Sequence, residues 1–384
     1  MSLRGGGEAS LIARWEALGR PLARLPRWAA IGLLALLAAA MAWSAIAAAP
    51  VDRAERARIA AKAAQAPGIA RAEEGKGKGD LALYARIAAR VTAGEDYYAA
   101  AMGEQRASNY PTRPFVAVRQ PTLAWLQAAI GVNGVRIVEL ALVAACLWAL
   151  QLRLAPLVAM PERLLALVLM VLGGAAAAVP TAGLIHELWA GLWLTLALLI
   201  HRPERWWPAL LAAGCALAVR ELAAPFVLLW LAFALAERRW REAAGVAALI
   251  AVFAAGMAAH YLAVEAGRLP GDPSSQGWDA MAGYGLPLMA LARLTGLLLL
   301  PIQWAAPLAI LPLLGWASLG GRLGLFALLW FAGLFTMVAL FARPENFYWV
   351  QLALPAYGIG LAFVPRALAD CLGAALGRPG ARQT

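Results

Sequence analysis

Charge is what this sequence has least of. Only 14% of its 384 residues are Asp, Glu, Lys or Arg, too few to cover a water-soluble chain of this size. Cysteine is also scarce, with Cys146 and Cys215 inside apolar runs and Cys371 in the basic tail. That spacing contains neither a disulfide framework nor a thiolate metal motif. No fixed-period repeat is evident, so a stacked-repeat architecture is excluded. Lysine supplies 3 of the 33 basic residues and arginine the rest. The net charge of +11 reads as membrane topology and contact with anionic lipid rather than as a nucleic-acid footprint.

What is abundant is apolar: 62% of residues are hydrophobic, in runs able to cross a hydrocarbon layer about 30 Å thick. The first run, Trp28 to Ala49, has no charge and follows Arg4, Arg14, Arg20, Arg24 and Arg27. It outlasts the apolar core of about 7–15 residues in a secretory signal and is expected to be an uncleaved anchor. Further apolar segments lie near 137–152, 164–181, 188–200, 207–219, 222–236, 243–264, 303–317, 323–341 and 349–365. The expectation is an all-α polytopic membrane protein with about ten transmembrane helices.

With the N-terminus cytoplasmic, the inward segments hold 16 basic residues, whereas the short outward connections hold Arg220, Arg268, Arg293 and Arg343. Long loops are largely exempt from this bias. The organisation is then a basic segment 1–27, a first span 28–49, a long external loop 50–133, spans two to seven within 134–264, an external loop and interfacial helix 265–302, C-terminal spans within 303–365, and a tail 366–384. Both termini face the cytoplasm and the loop faces the periplasm of a bacterial inner membrane. Arg293 interrupts an apolar run, and a charge at the bilayer centre is costly, so Leu286–Leu300 is expected to be interfacial or re-entrant.

In the long loop, residues 71–79 are a Gly/Lys/Glu patch expected to be a flexible connection. Leu81, Tyr84, Ile87, Ala88 and Val91 then recur at helical spacing with Arg86 and Arg90 on another face, predicting an amphipathic helix over 81–92 closed by Gly94. Asp80 stands where an N-cap would. A second juxtamembrane helix is expected from Pro121 to Ile130, after a proline-rich stretch unable to form regular structure. Glu95 and Asp96 read as a solvated turn, with Tyr97 and Tyr98 at the membrane interface. The 265–287 connection is rich in turn formers and suits either a gate or a plain connector.

The order of these features carries a resemblance. A first span, a loop reading D-x3-Y-x2-I-A-x-R-V-x2-G-E-D-Y-Y, "VRQPTLAWL" before the second span, "HELWAGLWLTLAL" from His186, "VRELAAP" from Val219 and "RPENFYWVQLALP" from Arg343 resemble bacterial GT-C-fold membrane glycosyltransferases. That resemblance implies juxtamembrane helices in the first external loop, a polyprenyl-phosphate sugar as donor, a glycan or lipid-linked acceptor, and an external catalytic carboxylate. Asp80 best matches that carboxylate. Asp52, closer to the first span, is its rival.

Transfer to a hydroxyl needs a base, and a departing lipid phosphate needs cationic donors. Asp80 is the expected base, with Glu187 the second catalytic carboxylate. His186, beside Glu187 at a helix end, and Tyr84, one turn beyond Asp80, join the substrate-binding set. Arg220 is expected to clamp phosphate with Glu221 orienting it, and Arg119, His260 and Arg343 to hold phosphate or sugar. Asp80, Asp96 and Glu187 would suit a divalent cation if they converged, although no local metal motif is present, so the cofactor stays open. The competing classes are a transporter or flippase of lipid-linked sugars, for which membrane-embedded charges are also diagnostic, and an external ligase or acyl transferase.

Overall fold

The computed structural model describes residues 10–64, 79–174 and 182–377. The expected flexible connection at 71–78 and the end of the 164–181 segment lie outside the described residues, as do parts of both terminal segments. The described chain is helical, and its extended pairing amounts to an isolated bridge between Arg113 and Ser274.

By length and composition, six helical stretches among the described residues are fit to cross a membrane: 27–61, 115–154, 240–266, 302–319, 321–341 and 354–375. Trp28, Leu36 and Ile46 stand exposed along α2 (Arg27–Ala64), as do Val252 and Leu262 along α10 (Trp240–Ala266). Apolar side chains presented outward over such lengths belong in lipid. α2 also continues through Pro50 to Ala64, so the loop expected to start at residue 50 begins as helix.

The shorter apolar helices lie deeper. α7 (His186–Ile200) buries residues around nearly its whole circumference, which explains why its sequence is apolar on every face. It packs on α8 (Trp207–Val219) and on α5 (Thr122–Leu154). α9 (Ala224–Ala236) follows α8 after a short 3-10 turn at Glu221–Ala223. α6 (Met160–Gly173) reaches the edge of the described residues.

A layer from the first loop covers one end of this bundle. α3 (Asp80–Thr92) packs on α4 (Tyr97–Ala107) and on α5. Its C-terminus is a Schellman closure: Gly94 has φ +95°, and the Gly94 and Glu95 N–H groups donate to Val91 and Arg90 carbonyls at 3.0 and 3.1 Å. α5 breaks at Gly131, whose φ of 71° is non-helical, so 122–130 is a separate helical segment matching the expected second juxtamembrane helix. α4 was not expected.

Of the segment Leu286–Leu300, expected to be interfacial or re-entrant, the first half forms α11 (Gly285–Arg293). Residues 285–292 are all buried, packed on α2 and on α12 (Ile302–Leu319). This helix is enclosed by protein, whereas Leu298, Leu299 and Leu300 beyond it are exposed; Arg293 at its end donates to Asp52 Oδ1 at 2.8 Å. α13 (Gly321–Phe341) precedes a 3-10 segment, Pro344–Leu352. The final stretch then mixes α14 (Leu354–Tyr357), a 3-10 turn and α15 (Val364–Ala375). It crosses α12 closely enough that a Cβ on Gly315 would strike the Gly360 carbonyl, so both positions need glycine.

Candidate functional site

The covered end of the bundle gathers most of the residues singled out in the sequence. The innermost is Glu187 on the first turn of α7, only 4% exposed. Arg220, 1% exposed at the end of α8, donates through Nε to Glu187 Oε1 at 2.8 Å, and through Nη1 to Glu221. Arg119 approaches the same Glu187 oxygen at 3.7 Å. Two arginines between two carboxylates are locally balanced, which is the condition for keeping charges out of water. Glu221 holds Arg220 as expected, and Glu187 holds it too, with the guanidinium buried rather than at the surface.

Arg119 connects this buried pair to the loop layer. Its Nε donates to the Tyr84 hydroxyl at 2.9 Å, and its Nη2 to the Tyr348 hydroxyl at 3.2 Å. Its own carbonyl accepts the Tyr97 hydroxyl at 2.6 Å. Its guanidinium also stands 5.9 Å from the Tyr84 ring centroid. His186 packs edge-on against Tyr84 with centroids 4.8 Å apart, its Nδ1 3.1 Å from the Leu184 carbonyl. A carbonyl only accepts, so Nδ1 carries the proton.

Asp80 lies at the rim. The N-cap expectation is corrected: Gly79 occupies the cap, and the Asp80 side chain makes no capping bond. Its Oδ1 instead accepts the Tyr110 hydroxyl at 2.8 Å, and Oδ2 accepts no hydrogen bond from the described residues. Asp80 and Tyr84 are four residues apart on α3, so they share a helix face about 5–6 Å apart at Cβ. A carboxylate and the Arg119 guanidinium are thus bridged by one helical turn. Burial, foremost, pushes the Tyr84, Tyr110 and Tyr348 hydroxyls above the usual phenol range, and the Asp80 charge adds to this at each. They remain neutral, donor-capable groups.

The other candidates lie apart from this network. His260 on α10 accepts from Tyr98 at Nδ1 (3.1 Å) and donates from Nε2 to the Val118 carbonyl at 3.0 Å, so it buttresses the loop layer. Arg343 is 3.9 Å from Glu345, which also takes Arg58 at 3.3 Å. Asp52, the rival base, is held by Arg56 and Arg293 at 2.7 and 2.8 Å. Asp96 is exposed, as expected of a solvated turn, and also caps α4, accepting from Tyr98 and Ala99 N–H groups at 2.9 and 3.1 Å. Glu95 pairs with Arg90 at 2.5 Å. Tyr97 and Tyr98 correspondingly turn into the protein rather than towards an interface. Among the described residues, no group of three His, Cys, Asp or Glu stands close enough to hold a metal ion, so Asp80, Asp96 and Glu187 do not converge.

No family model, curated protein or solved structure matches this chain. The site therefore rests on its own geometry. Sequence reasoning singled out neither Tyr110 nor Tyr348 for the site. A tyrosine directly before a proline in "NYPTRP" was a usable signal, since a restricted backbone aims its polar tip.

Proposed function

We propose that this multi-pass membrane protein is a glycosyltransferase of the GT-C type, with about ten spans, both termini cytoplasmic and the loop-covered end facing the periplasm. The donor is a polyprenyl-phosphate sugar and the acceptor a hydroxyl on a lipid-linked or cell-surface glycan. Asp80 takes the acceptor proton as the hydroxyl oxygen bonds to the anomeric carbon. The bond from that carbon to the phosphate oxygen breaks with inversion, and its electron pair leaves on the lipid phosphate. Arg119 stabilises the developing charge, while Glu187 and Arg220 hold it in place. The observation that carries this reading is the bridge from Asp80 through α3 and Tyr84 to Arg119, because it puts a carboxylate beside a cation at one bundle end.

The test uses purified protein with radiolabelled polyprenyl-phosphate sugars. Transfer or slow donor hydrolysis is expected, lost in Asp80→Asn and kept in Asp96→Asn. Equal activity in wild type and Asp80→Asn would move the base to Asp52 or Glu187. One feature favours a flippase instead: Glu139, fully buried within α5, has no hydrogen-bond partner for either carboxylate oxygen among the described residues, and buried intramembrane charges mark transport pathways. Donor crossing the bilayer uncleaved would overturn the transferase.

A further inference from the structure

A recess of about 200 Å³ lies between α2 and α13, apart from the residues of the proposed reaction. Both helices pack on α11 and α12 but scarcely on each other, so a gap stays between them. Its floor is Leu288, Ala309, Phe335 and Tyr357, all buried. Phe335 and Tyr357 meet edge-on with centroids 4.9 Å apart, which fixes the shape of that floor. Trp43 and Tyr284 form the rim, 49% and 45% exposed.

The hydroxyls on this lining have their acceptors already. Tyr357 donates to the Ala309 carbonyl at 2.5 Å, Tyr284 to Thr336 Oγ1 at 2.8 Å, and Thr336 to the Ala332 carbonyl at 2.8 Å. An occupant therefore meets mostly carbon. Depth narrows the choice further. Ala309 and Leu313 stand about 10–17 Å along α12 from Ile302, and Thr336 and Ala332 about 8–14 Å along α13 from Phe341. Half of a hydrocarbon layer is about 15 Å thick, so the recess lies within it.

Access also points to lipid. α11 lies across the loop-covered end, with Gly285 against the Ala47 carbonyl one turn beyond Trp43. The chain leading into α11 is tied to the end of α13, Met281 and Gly283 N–H groups donating to the Leu340 and Ala339 carbonyls at 3.1 and 2.9 Å. Water-borne ligands thus meet protein at that end. The sides differ: Trp43 shares a stripe of α2 with exposed Leu36, and Thr336 a stripe of α13 with exposed Leu329. The recess is continuous with the surface that faces the bilayer.

We infer that it holds the end of one phospholipid acyl chain, seated as a fixed constituent between α2 and α13. Chain ends are what the bilayer supplies at this depth. An apolar cavity of about 150 Å³ is enough to take benzene, so several methylenes fit here. Lipid tails are as apolar as the protein wall, so retention comes from dispersion contact with a rigid surface rather than from escape from water.

The full chain is placed in vesicles of phosphatidylethanolamine and phosphatidylglycerol, doped with phosphatidylethanolamine carrying a diazirine near one acyl end. After illumination, cross-linked peptides are mapped by mass spectrometry. Labelling of 309–313 and 332–336 should exceed that of exposed 251–255 on α10 by about threefold or more. Ala332→Phe fills the recess and should bring labelling down to the α10 level. Ala255→Phe, the same change on exposed α10, should leave it unaltered. Equal labelling of the two regions, or labelling indifferent to Ala332→Phe, would overturn the inference; should that variant misfold, the wild-type comparison decides. Added polyprenyl phosphate separates the occupants: unchanged labelling supports the phospholipid, and its loss assigns the recess to an isoprenoid chain instead. Labelling that falls as protein is crowded in the vesicle would assign it to a second copy.

Discussion

α7 starts among tyrosines and ends among arginines. At its N-terminal end, Glu187 sits between Arg220 and Arg119, and Tyr84 and Tyr348 extend that pairing outward to Asp80 at the rim. At its C-terminal end, Glu242 gathers His201, Trp230 and Arg239 inside the protein. The helix between them has 15 residues, about 22 Å at the usual rise. Both ends keep buried carboxylates compensated. At the first end Asp80 also keeps one oxygen unoccupied among the described residues, its printed partner being the neutral Tyr110 hydroxyl. A network closed by ion pairs is built to hold, and one relayed by hydroxyls has room for another molecule.

The contrast is breakable, most severely at Arg220. Arg220→Met leaves buried Glu187 and partly exposed Glu221 without their shared counter-charge and should cost about 3–5 kcal/mol, seen as loss of a monodisperse species or a large fall in Tm in detergent. An unchanged Tm would mean that the pair is not structural. Asp80→Asn should lower transfer by about 100-fold or more, yet shift stability by no more than about 0.5 kcal/mol, because Asp80 lies at the rim. A comparable loss of both would make the two ends alike. Glu242→Gln weakens the opposite hub by about 1–3 kcal/mol, with transfer per folded molecule unchanged. Reduced transfer at wild-type folding would show that the two ends communicate.

The smallest effect concerns the loop that buttresses the tyrosine end. Arg106 hydrogen-bonds Asp272 at 2.6 Å, holding that carboxyl well below the usual range. A depressed acid stabilises the fold above its unfolded pKa of about 3.9, and that contribution is lost as pH falls through and below about 4. Amide exchange over 267–275, corrected for intrinsic rates, should show protection at pH 7 declining in that window. Asp272→Asn should remove the dependence.

The amphipathic helix from residue 80 and its stop at Gly94 were legible because periodicity and a left-handed glycine are local signals. α4 was less visible: Asp96 before an alanine-rich stretch is a proper N-cap, but an acid beside Gly-Glu also reads as a turn. Arg293 was only half legible. Its run is apolar and its charge conspicuous, while its partner Asp52 lies 241 positions away, a pairing that no window of sequence contains. The same holds for Arg119, whose partners Tyr84, Glu187 and Tyr348 come from three separate segments.

Gly79 and Gly131 bracket the layer that carries Asp80, Tyr110 and Arg119, and both have positive φ, +117° and +71°. The joints of this layer are thus set in the most permissive residue available. Besides the backbone bridge at Arg113 and Ser274, side chains seat it on its neighbours: Arg119 against Glu187, the Tyr98 hydroxyl on His260, Arg106 on Asp272. The layer behaves as a plate fastened by three rivets, and the rivet nearest the chemistry is the arginine on which the chemistry would draw.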